Sequence, residues 1–284
     1  MLSNRWIVNV AMVVLIAVLL FIAMNFEQQP SDAQAARISG LALDEIDSIE
    51  VDSGDVQLRL SRLDDTWSID QPVNWPAHST NVNRLLSIIN SKAEMLAYAA
   101  DVDLDALGLE QPVARLRLND ADLLFGARNN IGERRYLMID DNIYLLADVH
   151  LAFLTQGLPG FVDRQLLPRR YRVESIKLPQ IEIQRDADEQ WRTLPPGDYS
   201  QAQLQQLVDN WQQLQASRIK PFDLGGLARQ LVEVRLEDGR SIEFVLLSSA
   251  NELIIANSQI GMQYHFLRDY EDQLMTLGGA ANGD

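Results

Sequence analysis

The stretch DVDLDALGLEQP, Asp101 to Pro112, sets carboxylates at alternate positions, Asp101, Asp103 and Asp105. A calcium loop begins this way, because alternate side chains of a tight loop converge on one ion. The sixth position, however, is Ala106, where the sharp turn calls for glycine. The twelfth is Pro112, where a bidentate glutamate would close the shell. The stretch therefore reads as a capped turn with a short helix. Three histidines, His78, His150 and His265, stand far apart, and none has a second ligand type within the next turn. Each reads as a surface or partly buried side chain. There is no phosphate loop, no G-x-S-x-G elbow and no dinucleotide fingerprint. A hydrolase would need a chosen pair of carboxylates, and 40 acidic residues do not select one. The absence of cysteine excludes disulfides, thiolate catalysis and Cys-ligated metals. The expectation is a non-catalytic protein without catalytic, metal or cofactor-binding residues. An enzyme is the least favoured reading.

Charge points to one further cluster. The formal net charge is −16, a surface that repels phosphate, so nucleic acid is not an expected partner. Within this acidic chain the segment GLPGFVDRQLLPRRYRVESI, Gly157 to Ile176, holds four arginines: Arg164, Arg169, Arg170 and Arg172. They read either as linker residues paired with nearby carboxylates or as a contact site for an acidic partner.

The N-terminus reads as an anchor. Trp6 to Met24, WIVNVAMVVLIAVLLFIAM, carries no charge. A helix of about 19 residues spans about 28 Å, close to the roughly 30 Å of bilayer hydrocarbon. Arg5 precedes it, and Glu27 and Asp32 follow, a bias that places the N-terminus in the cytoplasm and the rest outside. A cleavable signal peptide would have a shorter apolar core and a closer cleavage site than Ala33-Gln34-Ala35. The expected organisation is a cytoplasmic N-terminus (1–5), a single-pass transmembrane anchor (6–26) and a tether (27–43). Two α+β repeats (44–168 and 169–277) and a flexible tail (278–284) follow. The expected location is a bacterial inner membrane, with the bulk of the chain periplasmic.

Two stretches are written alike. DDTWSIDQP, Asp64 to Pro72, is echoed by DEQWRTLPP, Asp188 to Pro196. Around each, an alternating hairpin (46–69 and 173–194) leads into an amphipathic helix. Val82, Leu85, Leu86, Ile89 and Ala93 form one apolar face, and Leu204, Leu207, Val208, Trp211 and Gln215 occupy the same offsets. Ser79 or Thr80 is the expected cap of the first helix, and Ser200 with Gln203 makes a capping box for the second. ARLRL (114–118) and VEVRL (232–236) then open matching hairpins, Tyr144 and Tyr264 hold matching places, and helical stretches close each copy near 149–158 and 269–277. The predicted class is α+β, with a transmembrane helix ahead of two tandem copies of the unit β-β-α-β-β-β-β-α built on antiparallel sheets. Trp67 and Trp191 form a structural pair, each covering the seam between sheet and helix while its indole N–H reaches a turn carbonyl.

The hairpin ends around Trp67, the segment LGLEQPVARLRL (107–118), the hairpins LLFG to RRYLMIDDNIYLL and the junction FVDRQLLPRR resemble the DUF4340 family, over nearly all of 40–277. The second copy departs more, with Ala-Arg-Gln in place of Glu110-Gln111-Pro112 and no glycine after Phe244. The family is uncharacterised, and its members often accompany ABC-type permeases of the gliding-motility kind. The resemblance implies a membrane-anchored extracytoplasmic accessory subunit of an ABC-type transport or export system. Its partner would be an inner-membrane permease or an associated subunit. The alternative is a free-standing periplasmic envelope scaffold or binding module.

Overall fold

The computed structural model describes residues 36–37, 42–130, 132–223, 225, 229–247, 249 and 251–277. The expected cytoplasmic N-terminus (1–5), transmembrane anchor (6–26), most of the tether and the tail (278–284) lie outside the described residues. Among the described residues, no helix is long and apolar enough to cross a membrane.

The first half contains β1 (Ala36–Arg37), β2 (Ser48–Ser53), β3 (Val56–Leu63), β4 (Thr66–Gln71), β5 (Trp75–Pro76) and helix α1 (Ser79–Leu86). It continues with β6 (Lys92–Tyr98), β7 (Ala114–Leu118), β8 (Ala121–Arg128), β9 (Arg134–Ile139), β10 (Asn142–Ala147), and helices α2 (Leu151–Leu154) and α3 (Leu158–Phe161). The second half contains β11 (Val173–Lys177), β12 (Glu182–Arg185), β13 (Trp191–Leu194), α4 (Gln201–Gln213) and β14 (Arg218–Pro221). After these come β15 (Arg229–Leu236), β16 (Ser241–Leu247), β17 (Glu252–Asn257), β18 (Met262–Leu267) and α5 (Glu271–Met275).

The predicted α+β class and its repeat unit are therefore corrected. The described chain is mostly antiparallel β-sheet, with ten strands in one sheet and eight in the other, and its helices are short. Apart from the two-residue β1 and β5, each half runs β-β-β-α-β-β-β-β-β before its closing helices. Two local causes hid the extra strands. The run 46–69 is three strands, because Asp64 and Asp65 both adopt left-handed φ (49° and 60°) and turn β3 into β4. A two-residue hairpin turn with both φ positive is usually marked by Asn-Gly or Asp-Gly; the acidic pair reads as a solvated hairpin turn, yet the run reads as one hairpin of two strands. The segment KAEMLAY is composed of good helix formers, yet it is β6, paired with β10 from Asn142 to Leu145. Ile89 accordingly sits in a 3-10 turn and Ala93 in a strand, rather than on one long helix.

Strand order follows the same path in both sheets. The first reads β6-β10-β9-β8-β7-β2-β3-β4, with β1 and β5 at its edges; the second reads β14-β18-β17-β16-β15-β11-β12-β13. In each, three strands meander to one edge, a helix carries the chain to the far edge, and the last four strands fill the space between. The helix faces are buried at Val82, Leu85 and Leu86, and at Leu204, Leu207, Val208 and Trp211. Ser200 caps α4 in a full capping box with Gln203, whereas α1 begins after His78 with no side-chain cap. One contiguous core joins both halves, and Trp211 lies edge-on to Phe244 at 5.4 Å within it.

Trp67 and Trp191 both lie in third strands and are 4% exposed. Each is the cross-strand neighbour of an arginine whose guanidinium lies over its ring, Arg62 at 5.7 Å and Arg185 at 4.6 Å. The Trp191 indole N–H donates to Gln205 Oε1 on α4 at 2.8 Å, a helix side chain rather than a turn carbonyl. In the first half, the segment before β7 lies against β8. A Cβ on Gly126 would collide with the Leu107 carbonyl oxygen, so glycine permits that contact.

Candidate functional site

Where the two halves meet, residues 160–171 form a strap bonded on both sides. The His78 N–H donates to Phe161 O (2.7 Å) and the Asp163 N–H to Pro76 O (3.1 Å), which tie the strap to the start of α1. On the other side the Leu167 N–H donates to Trp211 O (3.3 Å) and the Ala216 N–H to Arg164 O (2.9 Å). Leu166 and Leu167 are fully buried.

The junction arginines separate by role. Arg164 donates through Nε to Ala216 O (2.7 Å) and through Nη2 to Ser217 O, so it is spent on backbone carbonyls. Arg172 is largely exposed, 3.8 Å from Glu237. Arg169 is exposed. Arg170 is exposed, lies over the Tyr171 ring at 5.8 Å and reaches Ser68 Oγ at 3.4 Å. Arg240, from the turn between β15 and β16, covers the same ring at 4.6 Å. Trp75 meets that ring edge-on at 6.1 Å. Tyr171 is thus enclosed by two guanidiniums and an indole from three separate parts of the chain.

Beside this cluster lies a groove of about 420 Å³. Trp75, Tyr171, Ile242 and Ile260 are its buried members; Pro72, Asn74, Arg240, Ser241 and Gln259 are exposed or partly exposed. Behind Trp75 the polar groups are short of partners. Trp75 Nε1, His78 Nδ1 and Tyr264 Oη are buried without an ordinary hydrogen bond, although the indole and the phenol are neighbours. Burial pushes the Tyr264 hydroxyl far up. Burial likewise raises the Asp163 carboxyl, against the opposing Gln165 N–H at 3.0 Å and the nearby His78. Burial lowers His78, opposed by Asp163. Burial thus favours the uncharged form of each of these groups behind Trp75.

The other sequence candidates lie elsewhere. His150 and His265 are buried (7% and 3% exposed) rather than on the surface. His150 Nε2 meets Ser91 Oγ at 2.9 Å, and His265 Nδ1 meets Glu252 Oε2 at 2.9 Å. Asp103 Oδ1 accepts the N–H groups of Asp105 (3.1 Å) and Ala106 (3.4 Å), a local turn cap. Among the described residues, no group of three or more His, Asp or Glu side chains is placed to hold a metal ion. Sequence reasoning missed Trp75, Asp163, Tyr171, Arg240 and the role of Tyr264. The one local signal was Trp75 in VNWPAH, a tryptophan with no counterpart in the second copy.

The family model for a domain of unknown function, DUF4340, matches residues 67–238. No curated protein and no solved structure matches. The matched segment begins at Trp67 and contains Trp75, His78, Asp163, Tyr171, Trp191 and the four junction arginines. Since the match covers more than half of the sequence, the chain belongs to the DUF4340 family.

Proposed function

We propose that this chain is a non-catalytic accessory subunit of an ABC-type transport or export system, held on the extracytoplasmic side of a bacterial inner membrane. The uncharged segment from Trp6 to Met24, with Arg5 before it and Glu27 and Asp32 after it, supports that placement. The link to transporters rests on the family resemblance. The observation that carries the reading is at the junction. Arg169 and Arg170 are exposed and have no ion pair among the described residues, in a chain with 40 acidic and 24 basic side chains. Carboxylates are abundant, so guanidiniums left without one are available to an acidic partner through charge-assisted hydrogen bonds.

The test is crosslinking in native membranes followed by affinity purification in mild detergent. The wild-type protein is expected to recover a permease or its associated subunit. The double variant Arg169→Glu/Arg170→Glu is expected to recover less, with an unchanged circular dichroism spectrum. If the wild type recovers no transport component, the transport reading fails and the envelope scaffold replaces it.

A further inference from the structure

We propose that the groove between the halves is a docking site for an extended acidic segment of a partner protein, an inference that rests on the accessory-subunit reading and gives its partner a chemistry. A groove of about 420 Å³ falls within the ligand-sized range of about 300–1,000 Å³, so it takes a few residues of chain rather than a folded domain. It is lined by residues 72–75, Tyr171, 240–242 and 259–260, short segments from both halves. Buried Trp75, Tyr171, Ile242 and Ile260 supply the apolar floor, and Asn74, Arg240 and Gln259 supply accessible polar groups.

Charge selects the occupant. Arg170 and Arg240 approach one Tyr171 ring, which is itself 8% exposed and fixed against Trp75. Stacking restrains both guanidiniums, so less side-chain freedom is lost when they bind a carboxylate. Arg170 forms no ion pair among the described residues, although it lies within electrostatic reach of the buried Asp163. Arg240 has only Asp238, two positions away at 2.7 Å, and both side chains are more than half exposed. An exposed pair of this kind contributes little and exchanges readily for a better-placed acid. The net negative charge of the chain, −16, opposes such a segment in general, so its attraction to the seam rests on these two guanidiniums.

The probe is a fluorescein-labelled peptide of about eight residues made of Glu, Pro and Leu, with a Gln-for-Glu counterpart. Each is titrated by fluorescence polarisation against the full-length protein. The acidic peptide is expected to bind, the Gln peptide at least ~10-fold more weakly. Raising salt from about 50 to about 300 mM is expected to weaken the acidic peptide several-fold. Arg170→Gln/Arg240→Gln should weaken it at least ~10-fold. Asn74→Glu, on the groove wall, should act in the same direction and reports on the site even if the arginine variant misfolds. Absence of acidic-peptide binding, equal binding of the two peptides, or indifference to Asn74→Glu overturns the proposal. Peptide failure beside normal recovery of a transport component refutes the groove alone. Peptide binding without any transport component recovered supports the groove and refutes the transporter reading.

Discussion

Trp67 and Trp191 occupy matching strand positions with equal burial, yet the indole N–H groups differ, and that difference can be measured. Truncating either ring to Ala removes a nearly fully buried aromatic and should cost about 3–5 kcal/mol. Each truncation also loses a guanidinium over the ring, worth roughly 0.5–1 kcal/mol at a partly exposed site. Phe is the more discriminating replacement. In Trp191→Phe the ring burial largely survives, but the 2.8 Å bond to Gln205 Oε1 is lost, at about 1 kcal/mol. The Trp67 indole N–H has no protein partner among the described residues, so Trp67→Phe forfeits no such bond. Trp191→Phe should therefore be the more costly by about 1 kcal/mol, while the two Ala variants stay within about 1 kcal/mol of each other. Urea unfolding of the full-length protein, followed by far-ultraviolet circular dichroism, gives all four values. Equal costs for the two Phe variants would refute the contribution of the Trp191–Gln205 bond, and an Ala variant costing under about 1 kcal/mol would refute the burial of that ring.

Asp163→Asn keeps the acceptor for the Gln165 N–H and removes a carboxyl whose folded pKa is raised by burial. A raised acid favours the folded state at low pH, and that advantage is lost as pH climbs from the ordinary carboxylate range through the raised value. The variant should thus be more stable than wild type at neutral pH and show a flatter decline over that window in thermal melts; a less stable variant would contradict the desolvation argument. Gly126→Ala should destabilise by about 1–3 kcal/mol, because the new methyl must displace Leu107 O, and denaturant midpoints report it. Ser200→Ala should cost about 1 kcal/mol by removing the capping box of α4, readable in the same melts.

Periodicity exposed the strands whose turns carry Gly, such as the β2–β3 turn at Gly54, and the capping box ahead of α4. The acidic pair before Trp67 reads as a hairpin turn, as Asp64-Asp65 is, but periodicity still counts the run 46–69 as two strands rather than three. Periodicity failed again at β6, where pairing with β10 overrides helix-forming composition. The seam was illegible for a different reason. Trp75, Asp163, Tyr171, Arg240 and Tyr264 share no motif and come from separate segments, so only the path of the strap brings them together. Sequence did isolate the junction arginines by charge. It could not show that Arg164 is bound to carbonyls while Arg170 joins Arg240 on one tyrosine.

The strap also governs how this protein can be taken apart. A protease needs an accessible stretch of chain; Leu166 and Leu167 are buried with backbone bonds to both neighbours, and only Arg169 and Arg170 of the strap's C-terminal part are exposed. Cutting the chain there would leave two fragments, each missing hydrogen bonds that only the other supplies. A first half made without the strap leaves the His78 N–H with no Phe161 carbonyl to meet, and a second half made without it leaves the Ala216 N–H with no Arg164 carbonyl. Each fragment would also bare part of the core that the halves share, so co-expression of both pieces is the route to a nicked but assembled protein.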